Sequence, residues 1–136
     1  MSNPVTTAVR HTLARLAAAT PLAGVPVWEG AAPEHATYPM VLVQVYGDAA
    51  DVGGTAGFRA ATVVTMSVRV VVKDGDLGAA EPLADAVDAA LHHSGPAGYT
   101  SGTVASCVRS AQTSMTEVAG GHTYRYLGGL YELVCY

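Results

Sequence analysis

The sequence predicts an α+β fold, in which two helices pack on a mixed or antiparallel β-sheet of about five strands, in the order α-β-β-β-α-β-β. Two segments place apolar residues at helical spacing, and longer segments alternate apolar and polar residues as strands do. The chain has 136 residues, of which 50% are hydrophobic and 13% are charged. That length and composition suit one buried core, so we expect residues 1–136 to form a single domain.

The first helix is predicted to begin after Asn3, a favourable N-cap residue, with Pro4 at the first helical position, where no N–H is needed. Pro21 should end this helix near Ala19. His11 is expected on the helix surface. The apolar face has residues three and four positions apart, namely Val5, Val9, Leu13, Leu16 and Ala17.

Three strands are predicted between the helices. Residues 25–29 form a short strand, which Pro26 confines to an edge or a strand end. Residues 40–46 are rich in β-branched side chains, and residues 60–72 form the strongest strand of the chain. Between these two strands, the glycine-rich residues 47–57 predict a long loop. One face of the long strand should meet the core: Thr62, Val64, Met66, Val68, Val70 and Val72.

A second helix and a hairpin complete the predicted fold. Residues 79–93 carry a stripe of Leu83, Val87 and Leu91, and the following Ser-Gly-Pro marks the end of the helix. Residues 103–115 and 123–136 alternate as strands. Within the last strand, consecutive glycines at 128 and 129 suggest a bulge. Three of its tyrosines share one side, which suits either the sheet core or a subunit interface: Tyr124, Tyr126 and Tyr136.

The two cysteines are predicted to be free and buried. If the hairpin turns near Ala119, Cys107 lies opposite Tyr131, and Cys135 lies four residues further along the strand. At the strand rise this separation is roughly 13 Å, which is beyond the reach of a disulfide. Two buried thiols also fit a reducing compartment.

Composition and motifs exclude several classes of function. The formal charge of −4 and the pI of about 5.6 argue against a protein that grips nucleic-acid phosphates. No apolar stretch approaches the roughly 20 residues of a membrane span. The five histidines lack metal-ligand spacing, and no nucleophile elbow or phosphate-binding loop is present. We therefore expect no catalytic residues, no cofactor and no metal. One enzyme or ligand-binding alternative stays open, in which Cys107, His122 and Tyr124 meet in a pocket.

Several segments carry a resemblance over residues 5–136. VWEGAAP at 27–33 precedes YPMVLVQ at 38–44, and a glycine-rich loop leads into the long strand. The helix LADAVDAAL follows at 83–91, and the last strand ends on an aromatic residue. This pattern resembles the phage tail-completion proteins, also called tail terminators or tail-to-head joining proteins.

The resemblance implies a structural virion protein that caps the head-proximal end of a tail tube as a ring, ends tube polymerisation and joins the tail to the head–neck. Its partners would be further copies of itself in a hexamer, the tail tube protein and a head-completion or stopper protein. Genomic DNA would pass through without specific binding, and no membrane is involved. The protein would be made in the bacterial host cytoplasm and reside in the virion tail or neck. Another neck component, such as a stopper or head-completion protein, is the nearest alternative.

A closed ring needs two different contact surfaces on each copy. We expect loops to supply most of these subunit and partner contacts. Arg69 lies on the polar face of the long strand, where it either pairs with an acid of a neighbouring subunit or simply faces solvent. Trp28 would anchor the core or an interface. The candidate interface residues are Trp28, Tyr38, Asp48, Asp51, Phe58, Arg59, Arg69 and Arg125.

Overall fold

Two α-helices and seven strands make up the fold of residues 3–53 and 59–136, the part of the chain described in the computed structural model. The helices are α1 (Pro4–Ala18) and α2 (Leu77–Leu91), and a short 3-10 helix, Thr20–Leu22, follows α1. The strands are β1 (Val27–Glu29), β2 (Met40–Val45), β3 (Ala50–Gly53), β4 (Arg59–Lys73), β5 (Ala97–Tyr99), β6 (Gly102–Ala119) and β7 (His122–Cys135). The predicted α+β class is confirmed, with more strands than the five expected.

The strands form one mixed sheet in the order β1-β2-β4-β7-β6-β5. β1 runs parallel to β2, and the other pairs are antiparallel. The prediction of a loop over 47–57 was wrong in part, because Ala50–Gly53 pairs with the start of β4. β4 extends beyond the end of β2, and β3 supplies hydrogen-bond partners for backbone groups that β2 does not reach. Residues 54–57 of that loop lie outside the described part.

Both helices pack on the same face of the sheet. Every residue predicted to form the core face of β4, from Thr62 to Val72, is buried. Val87 and Leu91 of α2 are buried against this face, and Leu83 packs partly against it. The helix begins two residues earlier than predicted, because Asp76 accepts a hydrogen bond from Ala79 N at 3.0 Å and caps it.

The first helix has the predicted ends but a different buried face. Asn3 Oδ1 accepts a hydrogen bond from Thr6 N at 3.1 Å, and the helix ends at Ala18. Val5, placed on the apolar stripe by its spacing, is 37% exposed. The spacing of apolar residues predicted the wrong buried face, because several polar side chains of this helix find hydrogen-bond partners inside the protein. The buried residues are Thr7, Ala8, His11, Thr12 and Leu16.

His11 was predicted on the surface and is instead fully buried. Its Nε2 lies 2.8 Å from Ser94 Oγ, and its Nδ1 lies 2.9 Å from the Tyr99 hydroxyl. Ser94 Oγ donates to Leu91 O at 2.6 Å, so Ser94 accepts from Nε2–H, and Nδ1 accepts from Tyr99. Burial, with a smaller contribution from the positive charge of Arg15, lowers the pKa of His11. The neutral ring thus ties α1 to the segment that follows α2.

The hairpin of β6 and β7 turns at Gly120 and Gly121, both of which have positive φ. Cys107 pairs with Leu133 rather than with the predicted Tyr131, because the hairpin turns later than the predicted Ala119. The register of β6 also shifts twice, between Val104 and Ser106 and between Arg109 and Ala111. The bulges therefore lie in β6. Both cysteines are free and buried, as predicted.

Gly128 and Gly129 do not form the predicted bulge. They pair in register with both neighbouring strands, and their lack of a side chain permits close packing. A Cβ on Gly128 would collide with the Val68 carbonyl oxygen, and one on Gly129 would lie 2.9 Å from Ala111 O. The sequence signal was real, but its physical cause is the close approach of the strands.

We expect Gly128→Ala to destabilise the protein by about 1–3 kcal/mol, because β4 and β7 must separate to admit the methyl group. Gly98→Ala is the matched control, since nothing lies within 4 Å of the Cβ that would be added there. Urea unfolding of both variants measures the difference. Equal free energies of unfolding for the two variants would contradict this account of the strand contact.

We also expect thermal stability to fall as the pH drops below about 6.5, the ordinary histidine pKa. The folded state lowers the pKa of His11, so the unfolded chain takes up the proton first, and stability is lost between that value and the folded one. His11→Asn should have a lower melting temperature than the parent chain at pH 7.5. Its melting temperature should, however, fall less than that of the parent between pH 7.5 and pH 5.5. The exposed His35→Asn should keep the pH dependence of the parent chain, and a parent melting temperature that is the same at both pH values would refute the assignment.

Candidate functional site

The candidate site lies on the face of the sheet opposite the helices, which we call the second face. A small apolar cluster occupies part of it, centred on Met40, Leu42 and Val71. Trp28 and two alanines of the segment between β1 and β2 pack on this cluster. The remainder of the second face has no helix over it in the described residues.

A cleft of about 250 Å³ opens beside this cluster and crosses several strands. We call it the second-face cleft. It combines the apolar surface of Met115 and Leu130 with hydroxyl groups and one guanidinium. Its lining residues are Tyr46, Ser67, Arg69, Thr113, Ser114, Met115 and Leu130. The mixture of apolar walls with a few polar groups is typical of a surface that recognises another molecule.

Arg69 is the charged group of the second-face cleft. Its Nη2 donates to Gln44 Oε1 at 2.9 Å, and its guanidinium carbon lies 4.9 Å from the centre of the Tyr126 ring. Its Nε is buried without a hydrogen-bond partner, and so is Thr113 Oγ1. These contacts hold the guanidinium in one orientation while two buried polar atoms stay unsatisfied.

Three predicted interface residues share the second face: Trp28, Tyr38 and Arg69. Trp28 packs on the apolar cluster, and its Nε1 is buried without a partner. Tyr38 is 36% exposed, and its ring lies 5.6 Å from the ring of Tyr124. Burial, followed by the effect of Tyr124, raises the pKa of Tyr38. The three side chains thus form a surface of aromatic and cationic groups.

Other predicted interface residues lie elsewhere. Asp51 sits on β3 and accepts a hydrogen bond from Thr62 Oγ1, a residue of the helix-bearing face, at 2.7 Å. Arg125 reaches Gly75 O at 2.9 Å and Thr116 Oγ1 at 3.3 Å. Asp48 is exposed between β2 and β3. The predictions for Phe58 and for the side chain of Arg59 fall outside the described residues.

Sequence reasoning missed Gln44, which holds Arg69, and Thr113, which lines the same cleft. Gln44 is a polar residue inside the apolar run of β2, and that interruption was a usable signal. The role of Thr113 had no such signal, because the register shifts in β6 decide which face it occupies.

The groups of the enzyme alternative are dispersed. Cys107 is buried opposite Leu133, whereas His122 begins β7, so the two are about 35 Å apart at the rise of a strand. Burial raises the pKa of Cys107 to about 11, which keeps it a thiol at neutral pH. His122 instead pairs with Asp74 at 2.7 Å. The dispersal contradicts a shared pocket for Cys107, His122 and Tyr124.

The described residues contain no group of three or more His, Cys, Asp or Glu side chains that could hold a metal ion. Neither described helix has the length and apolar character required to cross a membrane.

Comparisons with known proteins agree with the resemblance seen in the sequence. Residues 7–126 match the family described as tail completion protein gp17. Nine chains of solved structures match, among them one from the virion of a native gene transfer agent particle, with a TM-score of 0.68, 16% identity and complete coverage of both chains. At that identity the likeness shows a shared fold. No curated protein sequence matches the chain. Because the family match spans most of its length, the chain belongs to the phage tail-completion proteins, a family of structural virion proteins and not of enzymes.

Proposed function

We propose that the protein caps the head-proximal end of a phage tail tube as a ring, ends polymerisation of the tube and joins the tail to the head–neck. The family match over residues 7–126 carries this proposal. The fold shared over the whole chain with a component of a gene transfer agent virion supports it. In this role residues 1–136 act as one tail-terminator-like domain, made in the host cytoplasm and incorporated into the virion tail or neck.

The outer edge of β6 offers a surface suited to contact between copies. β6 pairs with β7 along one side, but on the other side β5 reaches only Gly102–Val104 and a single bridge joins Ser94 to Cys107. Residues 110–119 therefore have no strand neighbour on the outside within the described part. That stretch has one charged residue and no proline, whereas monomeric proteins usually protect long edges with charges or proline. An edge of this kind supports strand addition by a neighbour.

The negative charge of the chain suits a ring through which DNA passes. A hexamer would carry a formal charge of about −24, from −4 per copy, and repulsion from DNA phosphates would disfavour specific binding inside the ring. The proposed partners are further copies of the chain, the tail tube protein and a head-completion or stopper protein. The contact candidates remain Trp28, Tyr38, Asp48, Asp51, Phe58, Arg59, Arg69 and Arg125.

We expect the purified chain to add to the ends of tail tubes assembled in vitro and to stop their growth. Electron microscopy of tube length, with native mass spectrometry for the ring, measures both effects. Tubes that grow equally well in its presence would contradict the proposal. Binding to head-side neck proteins but not to tubes would instead identify a stopper or head-completion protein.

A variant of the β6 edge should weaken the ring. Val118 is 73% exposed. Val118→Lys places a charge on the β6 edge, and this charge opposes pairing with a strand of a neighbouring copy. Val5→Lys on the outer side of α1 is the matched control. We expect the first variant to keep the parent's circular dichroism spectrum but to lose ring mass at concentrations at which the control assembles. Equal assembly of the two variants would remove the β6 edge from the interface.

A further inference from the structure

We infer that the second-face cleft is a carboxylate-binding site, filled by an acidic side chain from α2 of a second copy of this chain. The inference rests on the proposed ring and identifies one of its contacts. It links two surfaces on opposite sides of the same sheet.

The unsatisfied donors define the chemistry of the site. Arg69 Nε–H and the Thr113 hydroxyl are both buried without partners, and both residues line the second-face cleft. Buried donors of this kind are costly unless an acceptor arrives. Gln44 and Tyr126 already hold the guanidinium in the wall of the cleft.

A carboxylate meets these requirements better than a neutral group. It offers two acceptor oxygens, and its hydrogen bonds to a guanidinium are charge-assisted. Among the described residues no carboxylate lies within ion-pair distance of Arg69. The positive charge therefore has no ion-pair counterpart in the described part of the chain, and a neighbouring subunit is the natural source of one.

Helix α2 is the acidic surface that fits this role. Leu77–Leu91 contains three acids and neither lysine nor arginine. Asp88 is engaged by the Tyr131 hydroxyl at 2.9 Å and by Arg109 at 3.6 Å. Glu81 and Asp85 are exposed and, being four residues apart, share one side of the helix. They are the carboxylates available to a neighbouring copy.

The placement of the two surfaces favours a ring. α2 packs on one face of the sheet and the cleft opens on the other, so their contact is heterologous and can repeat from copy to copy. Asp48 is a poorer candidate for this carboxylate, because it lies two residues from Tyr46, which lines the same cleft. Contact between such adjacent patches would favour a closed dimer rather than a ring.

The test measures ring formation by the full chain in native mass spectrometry over a range of concentrations. Arg69→Gln removes the charge, and Arg69→Lys keeps a charge but lacks the Nε donor and the planar fork. We expect either change to raise the concentration for half-assembly at least tenfold. Arg10→Gln, at an exposed arginine of α1, is the matched control and should assemble like the parent. Circular dichroism melts establish that each variant folds.

Charge reversal tests the source of the carboxylate. Arg69→Glu should abolish the ring, and combining it with Glu81→Arg and Asp85→Arg should restore it. Normal assembly of Arg69→Gln would overturn the inference while leaving the proposed ring intact. Failure of rescue by α2, or rescue by Asp48→Arg instead, would overturn α2 as the partner. A parent chain that stays monomeric even with tail tubes would overturn the proposed function and this contact together.

Discussion

The pairing of β4 with β7 is the constraint on which the rest of the structure depends. The two strands run antiparallel through twelve paired residues and lie at the centre of the sheet. Gly128 lets them approach closely at Val68. Because side chains alternate along this ladder, it separates the molecule into a face that receives both helices and a second face that is open to contact.

Much of the fold could be predicted from the sequence, because the signals were local. The alternation along β4 identified its buried face correctly, and Asn3 with Pro4 located the start of α1. The failures depended on distant partners. His11 is buried because Ser94 and Tyr99 lie within hydrogen-bond distance of its ring nitrogens, and neither residue is near it in sequence. A local sequence pattern cannot predict hydrogen bonds to residues so distant in the sequence.

The candidate site was predictable only in part, for the same reason. Alternation placed Arg69 on the polar face of its strand, and a pairing with an acid of a neighbouring subunit was among the alternatives. The cleft around it depends on Thr113, whose face is set by register shifts in β6. The dispersal of Cys107 and His122 and the family match separate this protein from the enzyme alternative.

The unprotected edge of β6 has a consequence for the life of the protein before assembly. Exposed backbone donors and acceptors do not distinguish a correct neighbour from a partly folded chain. A surplus of free copies would therefore be prone to aggregation, and incorporation into a larger particle would also act as protection. The strand edge that the proposed ring would use thereby makes balanced production of the tail components a condition of solubility.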